Sequence, residues 1–512
     1  MSRKPVFSRK ALNILIFITA TLILVFSQFG DETSLDGVKS FHGDKEVAAQ
    51  GSSSTGEPSD DYETPKVKIK DFFPELADIP EIPKADIDFD VQHWTTKSGL
   101  KVYFVPAPEI PMVDLRLVFN AGSAQDKPDE AGLASMTSNL VKAGTANLDV
   151  NQVALELERI GADVEVGAYR DMAVAGLRVL VDPQYFNDAL KLYSQIISEM
   201  NFTDEDLARE KNRQLVGITH KQQSPQAQIS DAVFETLYGA EHPYGHPSSG
   251  TLESVTAITR QDIEDFHNTF YVTENASLAM VGDIDRKKAE AIAEEVATQL
   301  GHGKAAPALV QDVKNVSGVT EFIQFPSEQT HIAMVGPGVK RGDEDYYALF
   351  LADHILGGGG FASLLNKKIR QEKAYAYSVG SGVSPMAGTG LVTIQMQTRG
   401  DQAAAAIEAT RQVIDELAQN GPTEAEMEDA KQQILSEFAM RAASNSSQLG
   451  YLGSIGFYDL PLNYLSVFNE KIEAVTAEDV KKMVSRYFKD LGVVTLGYND
   501  PLNDASTEDQ TN

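Results

Sequence analysis

The feature that most constrains this chain is that it repeats itself. The stretch "TDEDLAREK" at 203–211 is matched by "TEAEMEDAK" at 423–431, an offset of 220 residues. Further on, "TRQDIEDFHNTFY" at 259–271 is matched by "TAEDVKKMVSRYF" at 476–488, an offset of 217. Both members of the first pair open on Thr with an acidic residue three places on, the reciprocal cap that starts a helix. Each also follows an amphipathic run, "FNDALKLYSQIISEM" in one half and "AAAAIEATRQVIDELA" in the other. Two matched blocks in one order at nearly one spacing define two homologous domains, 93–305 and 316–500, with a linker at 306–315. A chain of 512 residues is long enough to give each its own core.

Local patterns give the class of those domains. "GLKVYFV" and "VDLRLVF" alternate, with Val113, Leu115, Leu117 and Phe119 on one face, which predicts strands. Val153, Leu157 and Ile160 fall at i, i+4 and i+7, and Gly161 ends that helix. "DVEVGAYRD" and "AVAGLRVLV" return to strand pattern, and Phe186, Leu190, Tyr193 and Ile197 mark a longer helix. Strands and helices within one unit predict an α+β domain.

Charge and cysteine usage exclude several functions. The 74 Asp and Glu against 44 Lys and Arg leave a net charge of −30, which repels nucleic-acid phosphates. With no cysteine there is no disulfide, no thiolate zinc site, no cysteine nucleophile and no lipoprotein anchor. Arg3, Lys4, Arg9 and Lys10 precede "ALNILIFITATLILVFSQFG", twenty residues without a charge. Residues 1–30 are therefore expected to be an N-terminal membrane anchor, a signal peptide cut after Ser27 being the alternative. The basic flank stays in the cytoplasm, so in a bacterium the anchor is single-pass in the inner membrane and the domains face the periplasm. Residues 31–92, with 16 acidic and 6 basic residues, read as a disordered tether, and 501–512 as a tail.

Four landmarks then occur in a specific order and spacing: "GLAS…LVKAGT", "HPYGHPSSGT" (242–251), "YVTENASLAMVGD" (271–283) and "LGGGGFASLLNKKIRQEKAYAYSV" (356–379). Together with the tandem halves they resemble the pitrilysin/insulinase family of zinc metallopeptidases. That family includes the mitochondrial processing peptidases and related core subunits of respiratory complexes. The resemblance implies two tandem domains, each a mainly antiparallel sheet packed with helices.

Active members resemble G-L-A-H-x-x-E-H at the first landmark. Two histidines one helical turn apart donate to Zn²⁺, and the glutamate activates the metal-bound water. The resemblance puts Ser135, Ser138 and Asn139 at the first His, the Glu and the second His. The third ligand is a glutamate seven places after another on the same helix. Glu210 is kept here, but the ligand position falls on Gly217. A hydroxyl and an amide are poor zinc ligands, and a serine cannot serve as the base near neutral pH. No metal is expected in this chain. His242 and His246 stand four apart, but Pro243 and Gly245 oppose a helix that would align them, so they are expected to be turn histidines. His220, His267, His331 and His354 are isolated and are expected at the surface or in the core.

The C-terminal half keeps what the first half lacks. Arg370 and Tyr377 have the seven-residue spacing of the family pair that binds the substrate backbone and helps stabilise the oxyanion. A guanidinium and a phenol are suitable donors for a carbonyl oxygen gaining charge. The bland alternative is an Arg370–Glu372 ion pair and a tyrosine packed on a sheet. Gly357, Gly358, Gly359 and Gly360 resemble a glycine-rich substrate-recognition loop, a simple turn being the alternative. A phosphate loop is excluded, since no Gly-Lys-Ser/Thr follows.

The expected function is that of a non-catalytic subunit of a zinc metallopeptidase. It would position peptide substrates through Arg370 and Tyr377 for a zinc-motif homologue of the same family, in which the zinc is expected. A membrane-tethered scaffold or peptide-binding module unrelated to proteolysis is the alternative. A peptidase with unfamiliar ligands is the third reading.

Overall fold

The computed structural model describes residues 90–309, 312–441 and 444–502. The anchor segment, the tether up to residue 89 and the tail beyond residue 502 lie outside the described residues. Among the described residues no helix is long and apolar enough to cross a membrane.

The first sheet holds β1 (Gln92–Thr95), β2 (Lys101–Pro106), β3 (Met112–Phe119), β4 (Asp163–Ala168), β5 (Ala173–Leu180) and β6 (Ala276–Gly282), in the order β1-β2-β6-β3-β5-β4. The second holds β7 (Thr320–Gln324), β8 (Gln329–Pro337), β9 (Ser378–Ser384), β10 (Leu391–Arg399) and β11 (Gly492–Gly497), in the order β7-β11-β8-β10-β9. In each sheet one pair is parallel, β2 with β6 and β7 with β11, and every other pair is antiparallel. Strands β7, β11, β8, β10 and β9 thus repeat β2, β6, β3, β5 and β4, place for place. The sequence repeat is a repeat of topology, and β1 is the one addition. Ordered strand begins at Gln92, two residues before Trp94.

The matched blocks prove to be matched helix starts. The Thr203 hydroxyl accepts from the Asp206 amide while the Asp206 carboxylate accepts from the Thr203 amide. The same exchange occurs at Thr423 and Glu426, at Thr259 and Asp262, and at Thr476 and Asp479. Each box satisfies two amides that a helix start would otherwise leave open. Strand β3 places Val113, Leu115, Leu117 and Phe119 in the first core. Its other face carries Asp114, which takes a two-pronged bond from its cross-strand neighbour Arg178 at 2.6 and 3.1 Å.

The two domains exchange helices. The helix Pro225–Tyr238, from the first half, packs Ile229, Val233 and Leu237 onto Ala333, Val335, Val494 and Leu496 of the second sheet. Its counterpart in the second half, Asn445–Phe457, lies on the first sheet. That helix presents Gly450, Gly453 and Gly456 to β3, β2 and β6. A Cβ at Gly453 would meet Val118 at 3.2 Å, and one at Gly456 would meet the Tyr103 ring at 2.7 Å and the Ser277 hydroxyl at 2.9 Å. Glycine is there because the helix must approach the sheet closely. Gly456→Val is expected to cost about 2–3 kcal/mol by overpacking a fixed aromatic ring. Urea unfolding would read this loss, and an unchanged midpoint would show that the helix is free to lift away.

Candidate functional site

The helix Leu133–Leu140 carries Ser135, Ser138 and Asn139, the positions matched above to the zinc motif by resemblance. Its start is held by Asp126, whose two carboxylate oxygens accept from the Gly132 and Ala134 amides, each at 2.9 Å. Burial pushes the Asp126 carboxyl well above its ordinary range, those bonds opposing the shift. Gly132 has φ 93, and a Cβ there would meet the Gln214 amide at 2.7 Å and the Ser249 carbonyl at 2.9 Å. Gln214 in turn donates to the carbonyls of Gly132 and Ser249. At the other end a Cβ on Gly144 would meet the carbonyls of Asn201 and Leu148 at 2.8 Å. The glycine frame of the motif therefore has a packing reason that does not involve a metal.

Inside that frame those positions have surroundings of their own. Ser138 is fully buried against the Tyr271 phenol, which burial pushes above its ordinary range. Asn139 Nδ2 donates to Glu210 Oε1 at 2.9 Å. Arg213 grips the same carboxylate from the side, Nε to Oε2 at 2.9 Å and Nη2 to Oε1 at 2.8 Å. The retained Glu210, which belongs to the helix Asp204–Gln222, thus has both oxygens engaged and a guanidinium beside it. Ser135 is half-buried at the first ligand position. Gly217 lies on the exposed face of that helix, and a Cβ there would meet nothing within 4 Å. Hydroxyls, an amide, a glycine and a carboxylate neutralised by arginine do not form a zinc donor set. Among the described residues no three His, Asp or Glu side chains are gathered to hold a metal ion.

His242 and His246 are turn residues. His242 Nδ1 accepts from the Tyr244 amide at 3.0 Å, and its ring stacks on Tyr238 at 4.9 Å. Burial, and then Arg170, push the His246 imidazole below its ordinary range. His267 is buried with Nε2 on the Ile197 carbonyl, His331 is buried in β8, and His220 is exposed.

Between those histidines lies a group that the sequence reading missed. Tyr244 is fully buried and its hydroxyl donates to Asp171 Oδ1. Asp171, in the β4–β5 turn, also accepts from the Tyr458 hydroxyl at 2.9 Å and the Ala387 amide at 2.8 Å. The Gly388 amide donates to the Tyr244 oxygen, and Tyr238 donates to the Thr389 carbonyl, both at 2.8 Å. Arg170 donates to the carbonyls of Tyr244 and His246 and covers the Phe234 ring at 3.7 Å. One buried carboxylate thereby joins the first domain to the β9–β10 loop and to the end of an exchanged helix. The signal in the sequence was a charged Arg-Asp pair between two apolar strands.

In the second domain the glycine run begins inside one π-helical turn, His354–Gly358, and precedes a second, Asn366–Glu372. Wide turns of this kind are uncommon and concentrate at functional sites. Three of the glycines are demanded by the chain's own close approach. A Cβ on Gly357 would meet the Ser381 amide at 2.5 Å, on Gly358 the Asp353 carboxylate at 2.7 Å, and on Gly359 the His354 carbonyl at 2.7 Å. Gly360 has φ 60 and meets nothing, so it supplies the left-handed turn. The run is thus tightly packed on its inner side.

Asp353 beneath this run is buried, and its Oδ1 accepts from the Ser381 hydroxyl at 2.6 Å. Burial pushes its carboxyl up to about 7, the Ser381 bond opposing the shift. The folded chain therefore keeps a proton that the unfolded chain releases above about pH 4. Its stability should fall as pH rises from about 4 to 7, then level off. Asp353→Asn is expected to remove that part of the slope. Urea midpoints of both proteins across this window would test it, and parallel curves would refute the assignment.

Arg370 sits in the second π-turn with its guanidinium over the Phe361 ring at 4.9 Å. Glu372 pairs instead with Lys368, at 3.4 Å, and among the described residues Arg370 makes no ion pair. Ala374, at φ 51, turns the chain from this segment towards β9. A left-handed conformation costs a non-glycine residue about 1–2 kcal/mol. Tyr377 follows, tied by its amide to the Gln397 carbonyl at 3.0 Å, with its side chain 61% exposed. Neither Arg370 nor Tyr377 takes the bland role of ion pair or packed ring.

The sequence profile of the Insulinase (Peptidase family M16) domain matches residues 101–250, and that of the Peptidase M16 inactive domain matches residues 257–434. A crystal structure of a peptidase M16 inactive domain from Pseudomonas fluorescens is 38% identical, covers 80% of this chain and 99% of its own, and aligns at a TM-score of 0.77. The chain belongs to peptidase family M16, the insulinase family, and lacks that family's zinc motif. More distant is a Rickettsia bellii protein described as an uncharacterized zinc protease, 27% identical over 401 residues, which are 77% of this chain and 93% of that one. A protease from Helicobacter pylori shares the fold at a TM-score of 0.74, with 19% identity over 80% of this chain and 99% of its own.

Proposed function

We propose that this protein is the non-catalytic subunit of a two-chain zinc metallopeptidase. It binds and positions extended peptides through Arg370 and Tyr377, while a zinc-motif homologue of the same family supplies the metal and the general base. The observation that carries this reading is a contrast. Asn139 and Glu210 at the former zinc site are engaged with each other and with Arg213, whereas the Arg370 guanidinium and Tyr377 phenol are presented without a competing carboxylate. An extended peptide adding a strand to a sheet edge would bring its carbonyls to those donors. Residues 1–30 would anchor the assembly in the inner membrane with both domains in the periplasm.

Co-expression with a zinc-motif homologue from the same genome tests the proposal. The pair should cleave peptides faster than the homologue alone, and stoichiometric zinc should follow the homologue. A pair no more active than the homologue alone would refute it. Recovery of an unrelated membrane complex, with no peptidase homologue, would favour a scaffold.

A further inference from the structure

In a chain of net charge −30 the segment around Arg370 reverses sign. Residues 366–377 carry four cations, Lys367, Lys368, Arg370 and Lys373, against the single anion Glu372. That anion is already held by Lys368 at 3.4 Å. The nearby acid Asp401, at the end of β10, is likewise held by Arg399 at 2.9 and 3.1 Å. Aromatic rings stand among these cations. Phe361 is 57% exposed beneath the Arg370 guanidinium, Tyr377 is 61% exposed, and Lys373 lies 5.8 Å from the Tyr375 ring.

From this we infer that the peptides bound at Arg370 and Tyr377 are acidic ones, extended segments carrying several Asp or Glu side chains. The inference rests on the peptide-binding role proposed above and adds the substrate class. The bulk of the surface is acidic and repels such a segment, so a local patch of cations is the place where it gains attraction. Exposed rings over and beside those cations add apolar contact for the peptide backbone and restrain the charged side chains. The π-turn matters to this arrangement. The backbone bonds from Lys373 to Lys368 and from Tyr375 to Ile369 span one and two residues more than an ordinary helical turn, and so keep the basic segment packed against the start of β9. Polynucleotide is a poor fit, because four cations cannot offset the net charge of the whole chain.

Fluorescence anisotropy with the full chain and three labelled twelve-residue peptides tests the inference. The peptides share an Ala/Ser/Gly background and carry four Glu, four Lys or four additional Ser. The Glu peptide is expected to bind at least tenfold more tightly than the Lys peptide at low ionic strength. That preference should collapse in 0.5 M salt, where screening shortens to a few ångströms. The double variant Lys367→Glu, Lys373→Glu should lose the preference while keeping the fold, as read by circular dichroism. If all three peptides bind equally and Arg370→Ala weakens each, the peptide-binding role stands and the acidic class is wrong. If none binds, both fail. If anionic phospholipid vesicles bind more tightly than the acidic peptide and displace it, the patch is a membrane-facing surface and the inference is overturned.

Discussion

Asp171→Ala is expected to lower the free energy of unfolding by about 3–5 kcal/mol, the largest loss foreseen for any single substitution here. The carboxylate is buried and accepts from the hydroxyls of Tyr244 and Tyr458 and from the Ala387 amide. Removing it strands three donors, and each buried donor left unmade costs about 1–3 kcal/mol. Tyr458 is half-buried and can recover water, whereas Tyr244 is fully buried and cannot. That is why the expected figure sits below the sum. Asp171→Asn, which keeps one acceptor oxygen but turns a donor towards other donors, should fall between Ala and wild type. One of the three donors, Tyr244, belongs to the first domain and two, Tyr458 and Ala387, to the second, so the loss should also loosen the coupling between them. Guanidinium unfolding should then show a smaller slope or a second transition. A loss below 1 kcal/mol with a single sharp transition would mean that the exchanged helices alone hold the domains together.

The second large effect is on activity. In the proposed complex with a zinc-motif homologue, Arg370→Ala and Tyr377→Phe are each expected to reduce kcat/KM by about 10²–10³-fold, the usual consequence of removing one donor to a developing oxyanion. The double variant should lose little more than the worse single variant, because groups acting on one transition state are not additive. Arg370→Lys should restore only part of the rate, since an ammonium lacks the planar fork of a guanidinium. Stability should be nearly unchanged, within about 0.5 kcal/mol for Tyr377→Phe, given an exposed ring with no buried partner. Full activity in both single variants would remove the pair from the mechanism. Full activity in Tyr377→Phe alone would leave Arg370 as a backbone clamp without oxyanion chemistry.

Much of this molecule could be read before its coordinates. The repeat at offsets of 220 and 217 residues is visible because helix caps are local. Thr203 with Asp206 and Thr423 with Glu426 make their bonds within one turn, whatever surrounds them. The alternation of β3 fixed which of its residues face the core, since side chains change faces at every step along a strand. The absence of the family's zinc motif is read directly from the sequence, which has Ser135, Ser138 and Asn139 along that helix. Such groups cannot replace imidazole and carboxylate at zinc in any fold.

Other features depend on approaches between segments far apart in the chain, and only the tertiary structure decided them. The bond from Asn139 to Glu210 joins residues 71 apart. The Asp171–Tyr458 bond spans 287 residues. The exchange of helices 225–238 and 445–457 leaves no local mark except glycines at 450, 453 and 456, whose reason appears only once the Tyr103 ring is beneath them. The glycine run read as a recognition loop or a simple turn, and only the fold brings Asp353, His354 and Ser381 against it. Sequence alone thus determined the repeat, the strand faces and the loss of the zinc ligands, because each is set by residues within a few positions of one another or by intrinsic chemistry. Folding decided what surrounds Ser138, Asn139 and Glu210 and what locks the halves together, because those bonds depend on distances that no local pattern encodes.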